Sequence, residues 1–156
     1  MKVQVVVVGK TRGQVAAAVN EYESRAARYW KMEVTEVSAG ASGGQASPER
    51  VMAAEAERIL GRIGEGLEVV ALTREAKGMG SRELAGYLER HAIRSSAGVA
   101  FVIGGAFGLD ASVLKKARRK LSLSTFTLPH EMARLVLAEQ LYRAGTIVRG
   151  EPYHKA

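Results

Sequence analysis

The chain has no cysteine among its 156 residues. That excludes a disulfide framework, a thiolate metal site and a cysteine nucleophile. The three histidines, His91, His130 and His154, show no metal-ligand spacing, so no metal is expected. No apolar run approaches the ~20 residues of a membrane span. The opening stretch, Met1 to Val8, is too short for a signal peptide and lacks a small-residue cleavage site. These absences point to a cytoplasmic protein with no membrane partner. Proline occurs only three times, as Pro48, Pro129 and Pro152, so each one is informative.

Positive charge is plentiful. The formal net charge is +7, and hydrophobic residues make up 47% of the chain. The first figure favours polyanionic partners without singling out nucleic acid. The second supports a full core, and the length fits one domain over residues 1–156.

Strand and helix signals alternate along the sequence. Val3 to Val8 is β-branched and near-continuous, as in a strand covered on both faces. Gln14 to Tyr29 repeats apolar residues at helix spacing. Met32 to Val37 reads as a strand, and Ala39 to Ala46 as a Gly/Ser/Ala loop. Ser47, Pro48 and Glu49 form a helix start whose helix reaches about Ile63. Leu67 to Leu72 is a strand, Ser81 caps a helix over 82–92, and Gly98 to Ile103 is a buried strand. Asp110 caps a helix through about Arg119. Leu121 to Phe126 is a short last strand, and Pro129-His130 open a helix reaching about Arg149. Such alternation defines an α/β fold with a mainly parallel sheet flanked by helices. Ligands then sit at the carboxyl ends of the strands, where Leu72, Gly104 and Leu128 fall.

Two nucleotide motifs fail. Gly9-Lys10-Thr11 resembles the end of a phosphate loop, but its required first glycine is Gln4. A dinucleotide fingerprint ending at Gly108 would need glycine at Ile103. There is also no nucleophile elbow.

The last third of the chain holds what remains. Gly104-Gly105 lets a ligand approach the backbone, although taken alone it reads first as a tight turn between strand and helix. Pro129 forces Leu128 out of helical geometry. That leaves main-chain groups of the Leu123–Leu128 loop free for the edge of a purine, or simply ends a strand. The final helix is apolar over most of its circumference. It is read as buried twice, against its own sheet and a second subunit, or else as a central core helix. Lys115 to Lys120 is either a solvated helix face or a phosphate-contacting patch. Tyr153 and His154 supply an aromatic for stacking and an imidazole for proton chemistry near the chain end.

Taken together, these segments resemble the RlmH (YbeA) family of SPOUT-class RNA methyltransferases over the whole length. The carriers are Phe101-Val-Ile-Gly-Gly105, Gly108-Leu109, Leu123-Ser124, Thr127-Leu-Pro-His130, Glu139-Gln140-Leu-Tyr-Arg-Ala144 and Pro152-Tyr-His-Lys155. The resemblance implies an α/β-knot fold with a C-terminal trefoil knot, and a homodimer. It implies S-adenosyl-L-methionine as cofactor, and methylation of N3 of a pseudouridine in 23S ribosomal RNA within the assembled ribosome. By position it implies cofactor contacts at Leu72, Gly104, Gly105, Leu123, Ser124, Thr125, Phe126, Thr127 and Leu128. Thr73 and Ala76 depart from the family's usual acid and glycine.

The reaction needs the attacking nitrogen aligned and its proton removed, or the resulting anion stabilised. The candidates are His154 as base or orienting donor, Tyr153 as stacking or hydrogen-bonding group, and Arg143 as cationic stabiliser. His130 orients the Pro129 loop, and Arg134 serves either the fold or the RNA. One subunit's tail would close the other's pocket. The rival readings are a SPOUT methyltransferase acting on another RNA, a non-catalytic ribosome-associated dimer, and a small-molecule enzyme using a nucleotide.

Overall fold

The structure is a computed structural model that describes residues 1–155. Five strands alternate with five helices: β1 (Lys2–Val8), α1 (Gly13–Ala26), β2 (Lys31–Val37), α2 (Pro48–Leu60), β3 (Glu68–Leu72), α3 (Ser81–Ile93), β4 (Gly98–Ile103), α4 (Ala111–Lys116), β5 (Arg119–Leu121) and α5 (His130–Val148). The sheet order is β2-β1-β4-β3-β5, with every neighbouring pair parallel.

The apolar run of β1 is explained by cover on both faces. Val3, Val5 and Val7 join the core built with α1, α3 and α5. Val6 and Val8 join a smaller core with Ala56, Ile59 and Val113 of α2 and α4. Gln4 is the polar exception in the strand. Its amide donates to the Arg62 carbonyl at 2.8 Å and accepts from the Gly64 amide at 2.9 Å, which fixes the exit from α2. Ser47 and Asp110 cap α2 and α4 as the sequence indicates. At α3 the cap is Gly80, with Ser81 already inside the helix; the Glu83 carboxylate accepts from the Gly80 amide at 3.1 Å.

Several boundaries move, and α2 stops at Leu60 rather than near Ile63. α1 stops at Ala26, because a turn from Ala26 to Tyr29 redirects the chain into β2. α4 stops at Lys116, and the last strand is Arg119–Leu121 rather than Leu121 to Phe126. The cause is the Arg118 amide, which donates to the Val69 carbonyl at 2.9 Å and draws the next three residues alongside β3. Leu123 to Phe126 therefore lies beyond the sheet. The run Lys115 to Lys120 is not one helix face but is divided between α4, a link and β5.

α5 lies in the middle of its layer, packed against α1 and α3. Leu137, Leu141 and Ala144 are fully buried there, and the Trp30 indole donates to the Leu141 carbonyl at 2.9 Å. This central position accounts for most of the helix's apolar circumference. Arg134 is also buried, paired to Glu23 at 2.8 Å and Glu36 at 2.6 Å. Of the two roles open to it, Arg134 serves the fold. No helix among the described residues is long and apolar enough to cross a membrane.

Candidate active site

β4, β3 and β5 are adjacent, so the loops leaving their carboxyl ends converge. Together with the start of α5 they enclose a cavity of about 380 Å³. That is within the range of small-ligand pockets. Leu72, Gly104, Gly105, Leu123, Ser124, Phe126, Thr127 and Leu128 all line it; Thr125 does not, and is exposed.

Each loop has a local cause. A Cβ on Gly104 would come 2.9 Å from the Gly108 carbonyl carbon, so only glycine permits this tight return. The Gly108 amide closes the turn on the Gly105 carbonyl at 3.1 Å. The next loop is held by its own serines: the Ser122 hydroxyl donates to the Ser124 carbonyl at 2.9 Å, and the Phe126 amide donates to the Ser124 hydroxyl at 2.9 Å. Pro129 then stands extended at the N-cap of α5. The result is a cavity lined by these loops, with Leu72, Leu114, Leu123 and Leu128 as apolar surface. Phe126, 80% exposed, and Phe107, 50% exposed, flank the mouth.

Arg74, Glu75, Leu114 and Ala133 also line the cavity and escape the sequence reading, while Leu109 and His130, named there in other roles, line it as well. The strand-end rule alone could have flagged Arg74 and Glu75. Glu75 is the acid that lines the pocket. The Thr73 hydroxyl donates to the Glu75 carboxylate at 2.8 Å. That bond, with Arg74 nearby, holds the Glu75 carboxyl below the usual range. The loop thus presents an anion. Arg74 in turn donates to the Thr127 hydroxyl at 2.6 Å and links two walls. His130 lies against Gly9, with Nε2 3.4 Å from the Lys10 carbonyl, at the foot of the Pro129 loop.

Arg143, Tyr153 and His154 form a separate cluster around Glu139. The Arg143 guanidinium grips the Glu139 carboxylate at 2.9–3.2 Å. The Tyr153 hydroxyl donates to the same carboxylate at 3.0 Å, and Arg143 stacks 4.8 Å over the Tyr153 ring. Arg143 Nη1 lies 3.1 Å from His154 Nδ1. The bonds to Glu139 raise the Arg143 pKa, so it stays charged. Burial, then the bond to Glu139, pushes the Tyr153 phenol up to about 12, so it stays protonated. Tyr22, Tyr29 and Tyr142 continue the cluster with Arg25 and Arg149 stacked on their rings. The pocket and this cluster do not meet within one chain. Ala133 lines the pocket, and Arg143 lies ten residues further along the same helix. At ~1.5 Å per residue, that is about 15 Å.

A larger and more open groove, about 900 Å³, lies between α2 and the segment 38–46, with Arg50, Arg58, Arg62, Glu36 and Glu57 on its walls. It is formed mainly by exposed helix side chains and lacks the convergence of strand ends. Among the described residues no three His, Asp or Glu side chains are grouped to hold a metal ion.

A protein family described as "Predicted SPOUT methyltransferase" matches residues 1–154. Proteins named Ribosomal RNA large subunit methyltransferase H are similar from end to end. The one from Gemmatimonas aurantiaca is 47% identical, with 99% of this chain and all of that protein covered. The one from Limosilactobacillus fermentum is 43% identical at the same coverage. Two solved structures share the fold. The tRNA (m1G37) methyltransferase of Aquifex aeolicus has a TM-score of 0.57 at 15% identity, covering 100% of this chain and 76% of that one. A probable methyltransferase from Bordetella pertussis Tohama I has a TM-score of 0.55 at 20% identity, covering 91% and 95%. Parallel sheet and flanking helices are those of a SPOUT methyltransferase. Within that class, the chain belongs to the RlmH family.

Proposed function

We propose that this chain is an S-adenosylmethionine-dependent methyltransferase of large-subunit ribosomal RNA. Its target is N3 of a pseudouridine in the assembled ribosome, and it acts as a cytoplasmic homodimer. The observation that carries this reading is the pocket where the ends of β3, β4 and β5 converge. Its lining suits the cofactor. Main-chain groups serve the purine edge, leucines serve its faces, and Glu75 stands at the rim for a cationic part. Seated there, the cofactor supplies an activated methyl group on a sulfonium. The threading of a trefoil knot is supported by the path into α5. The Leu121 carbonyl accepts from Thr73, and the Ser122 amide donates to the Lys77 carbonyl, so this segment runs against the loop 73–80.

The distance between pocket and polar cluster supports the dimer. A tail about 15 Å from its own pocket completes the site only from a partner subunit. Such a composite holds the nucleotide between the two, and alignment contributes on the order of 7–11 kcal/mol in ideal cases. Arg143 is a fixed cation for the charge that develops as the N3 proton leaves. An arginine donor at His154 Nδ1 requires that nitrogen to be unprotonated, which assigns the ring proton to Nε2. His154 then presents a donor, which supports the orienting role over that of base, with the proton passing to water. Tyr153, protonated, stacks or donates. The surrounding tyrosines and arginines suit RNA bases and phosphates.

The test is to incubate the protein with methyl-labelled S-adenosylmethionine and ribosomes lacking the modification, and then map the label. Label at N3 of one large-subunit pseudouridine is expected. Label in transfer RNA, or none in any RNA, would overturn the reading.

A further inference from the structure

Glu55, on α2, is a carboxylate only 3% exposed. Its Oε2 accepts from the Gly40 amide at 2.9 Å. Its Oε1 is buried and has no hydrogen-bond partner. Both oxygens lie directly behind the pocket's glycine loop: a Cβ on Gly105 would come 2.9 Å from each. The carboxylate fits there because residue 105 has no side chain. Gly40 belongs to the segment 38–46, which α2 also fastens through Arg58. Arg58 Nη1 donates to the Ser38 carbonyl at 2.7 Å and the Gly40 carbonyl at 2.6 Å. Glu55 is therefore the point at which the pocket loop and the segment 38–46 meet. A buried anion left half satisfied is costly and is rarely kept without a partner in some state of the protein.

We propose that Glu55 is a positioning residue that couples these two segments. When the cofactor seats, a main-chain amide of the loop 104–108 turns onto Oε1. One carboxylate then holds both segments in a single arrangement. This rests on the cofactor reading of the pocket. Glu55 touches no cofactor atom; it acts through the loop. The segment it clamps borders the groove that carries Arg50, Arg62, Glu36 and Glu57, so loading of the pocket is transmitted to a charged rim. By linkage, a ligand that orders that rim strengthens cofactor binding by the same factor.

The experiment is hydrogen exchange on the full chain, with and without S-adenosylmethionine, beside calorimetric titration of the same cofactor. In the unaltered protein, cofactor is expected to slow exchange in both 104–108 and 38–46. In Glu55→Gln, which keeps the volume but replaces the free acceptor with an amide, 38–46 is expected to stop responding. Cofactor affinity is expected to fall about tenfold, with the thermal midpoint retained. Glu55→Asp keeps the anion but shortens its reach, and is expected to uncouple the segments too, so the test stands if the first variant fails to fold. If the unaltered protein binds cofactor but 38–46 does not respond, or if both variants keep the coupled protection, the coupling is wrong. If calorimetry detects no cofactor binding at all, the reading of the pocket itself fails, and that arm shows it separately.

Discussion

The two ends of α5 are built from different materials. At its start, the pocket is assembled from loops at three strand ends, where glycine turns and short bonds such as Arg74 to Thr127 set the path of the chain. Towards its end, Arg143, Glu139, Tyr153 and His154 each bond a named side-chain partner. A site assembled from loop ends depends on the path of the backbone. A site made of paired side chains depends on their identity. On the function proposed above, affinity for a cofactor belongs to the first end, and chemistry on the nucleotide to the second.

The sharpest way to break that division is at the second end. His154→Ala or Arg143→Ala is expected to lower methyl transfer by about 10²–10³-fold, the effect of removing one fixed donor from a developing anion. Calorimetry is expected to give an unchanged cofactor affinity. Loss of affinity equal to the loss of rate would place the tail in the cofactor site instead. The same variants test whether the site spans two chains. A mixed dimer of one Gly104→Val subunit and one His154→Ala subunit contains one intact pocket facing one intact tail. At a cofactor concentration too low to load the Gly104→Val pocket, mixing the two is expected to give activity well above that of either variant alone. Mixtures that stay inactive, despite proven subunit exchange, would return the tail to its own chain's pocket.

The converse change, Gly104→Val alone, is expected to weaken cofactor binding by tenfold or more. Its branched side chain meets the Gly108 backbone, where even a Cβ would stand at 2.9 Å. The cluster around Glu139 is more than a helix turn away and is expected to keep its geometry, seen as an unchanged Tyr153 environment by fluorescence or NMR.

This comparison also shows how far the sequence could be read. The strand ends were legible because β-branched runs such as Val3–Val8 and Gly98–Ile103 are confined by burial on both faces. Leu72, Gly104 and the loop before Pro129 followed from where those runs stop. The short β5 was misplaced, because its position is set by one non-local bond, Arg118 to Val69, that leaves no periodic trace. The family resemblance, not spacing, supplied the roles of Tyr153 and His154. Their grouping with Glu139 joins residues on a helix to a tail that returns against it. Glu55 was invisible: an acid on a helix reads as solvated until the glycine loop is seen packed on it.

The smallest effect sharpens the contrast from the amino edge of the sheet, opposite the pocket. Glu68 opens β3 there, and accepts from the Tyr87 hydroxyl and from His91 Nε2, the latter at 3.2 Å. Burial alone would raise its carboxyl, but the bonds from Tyr87 and His91 outweigh it and hold it below the usual range. A carboxyl depressed by folding contributes stability that is full above its unfolded pKa, about 4.3. That contribution is lost as pH falls through the lower, folded value. Glu68→Gln removes it, so the variant is expected to be less stable at pH 7, by about 1 kcal/mol or less for a partly exposed pair. The gap to the unaltered protein is expected to narrow when unfolding is followed below pH 4. Cofactor affinity at pH 7 is expected to stay the same, because no bond of this network reaches the loops of the carboxyl edge. A fall in affinity with the small fall in stability would mean that the two edges are mechanically joined through β3, and the division between them would not hold.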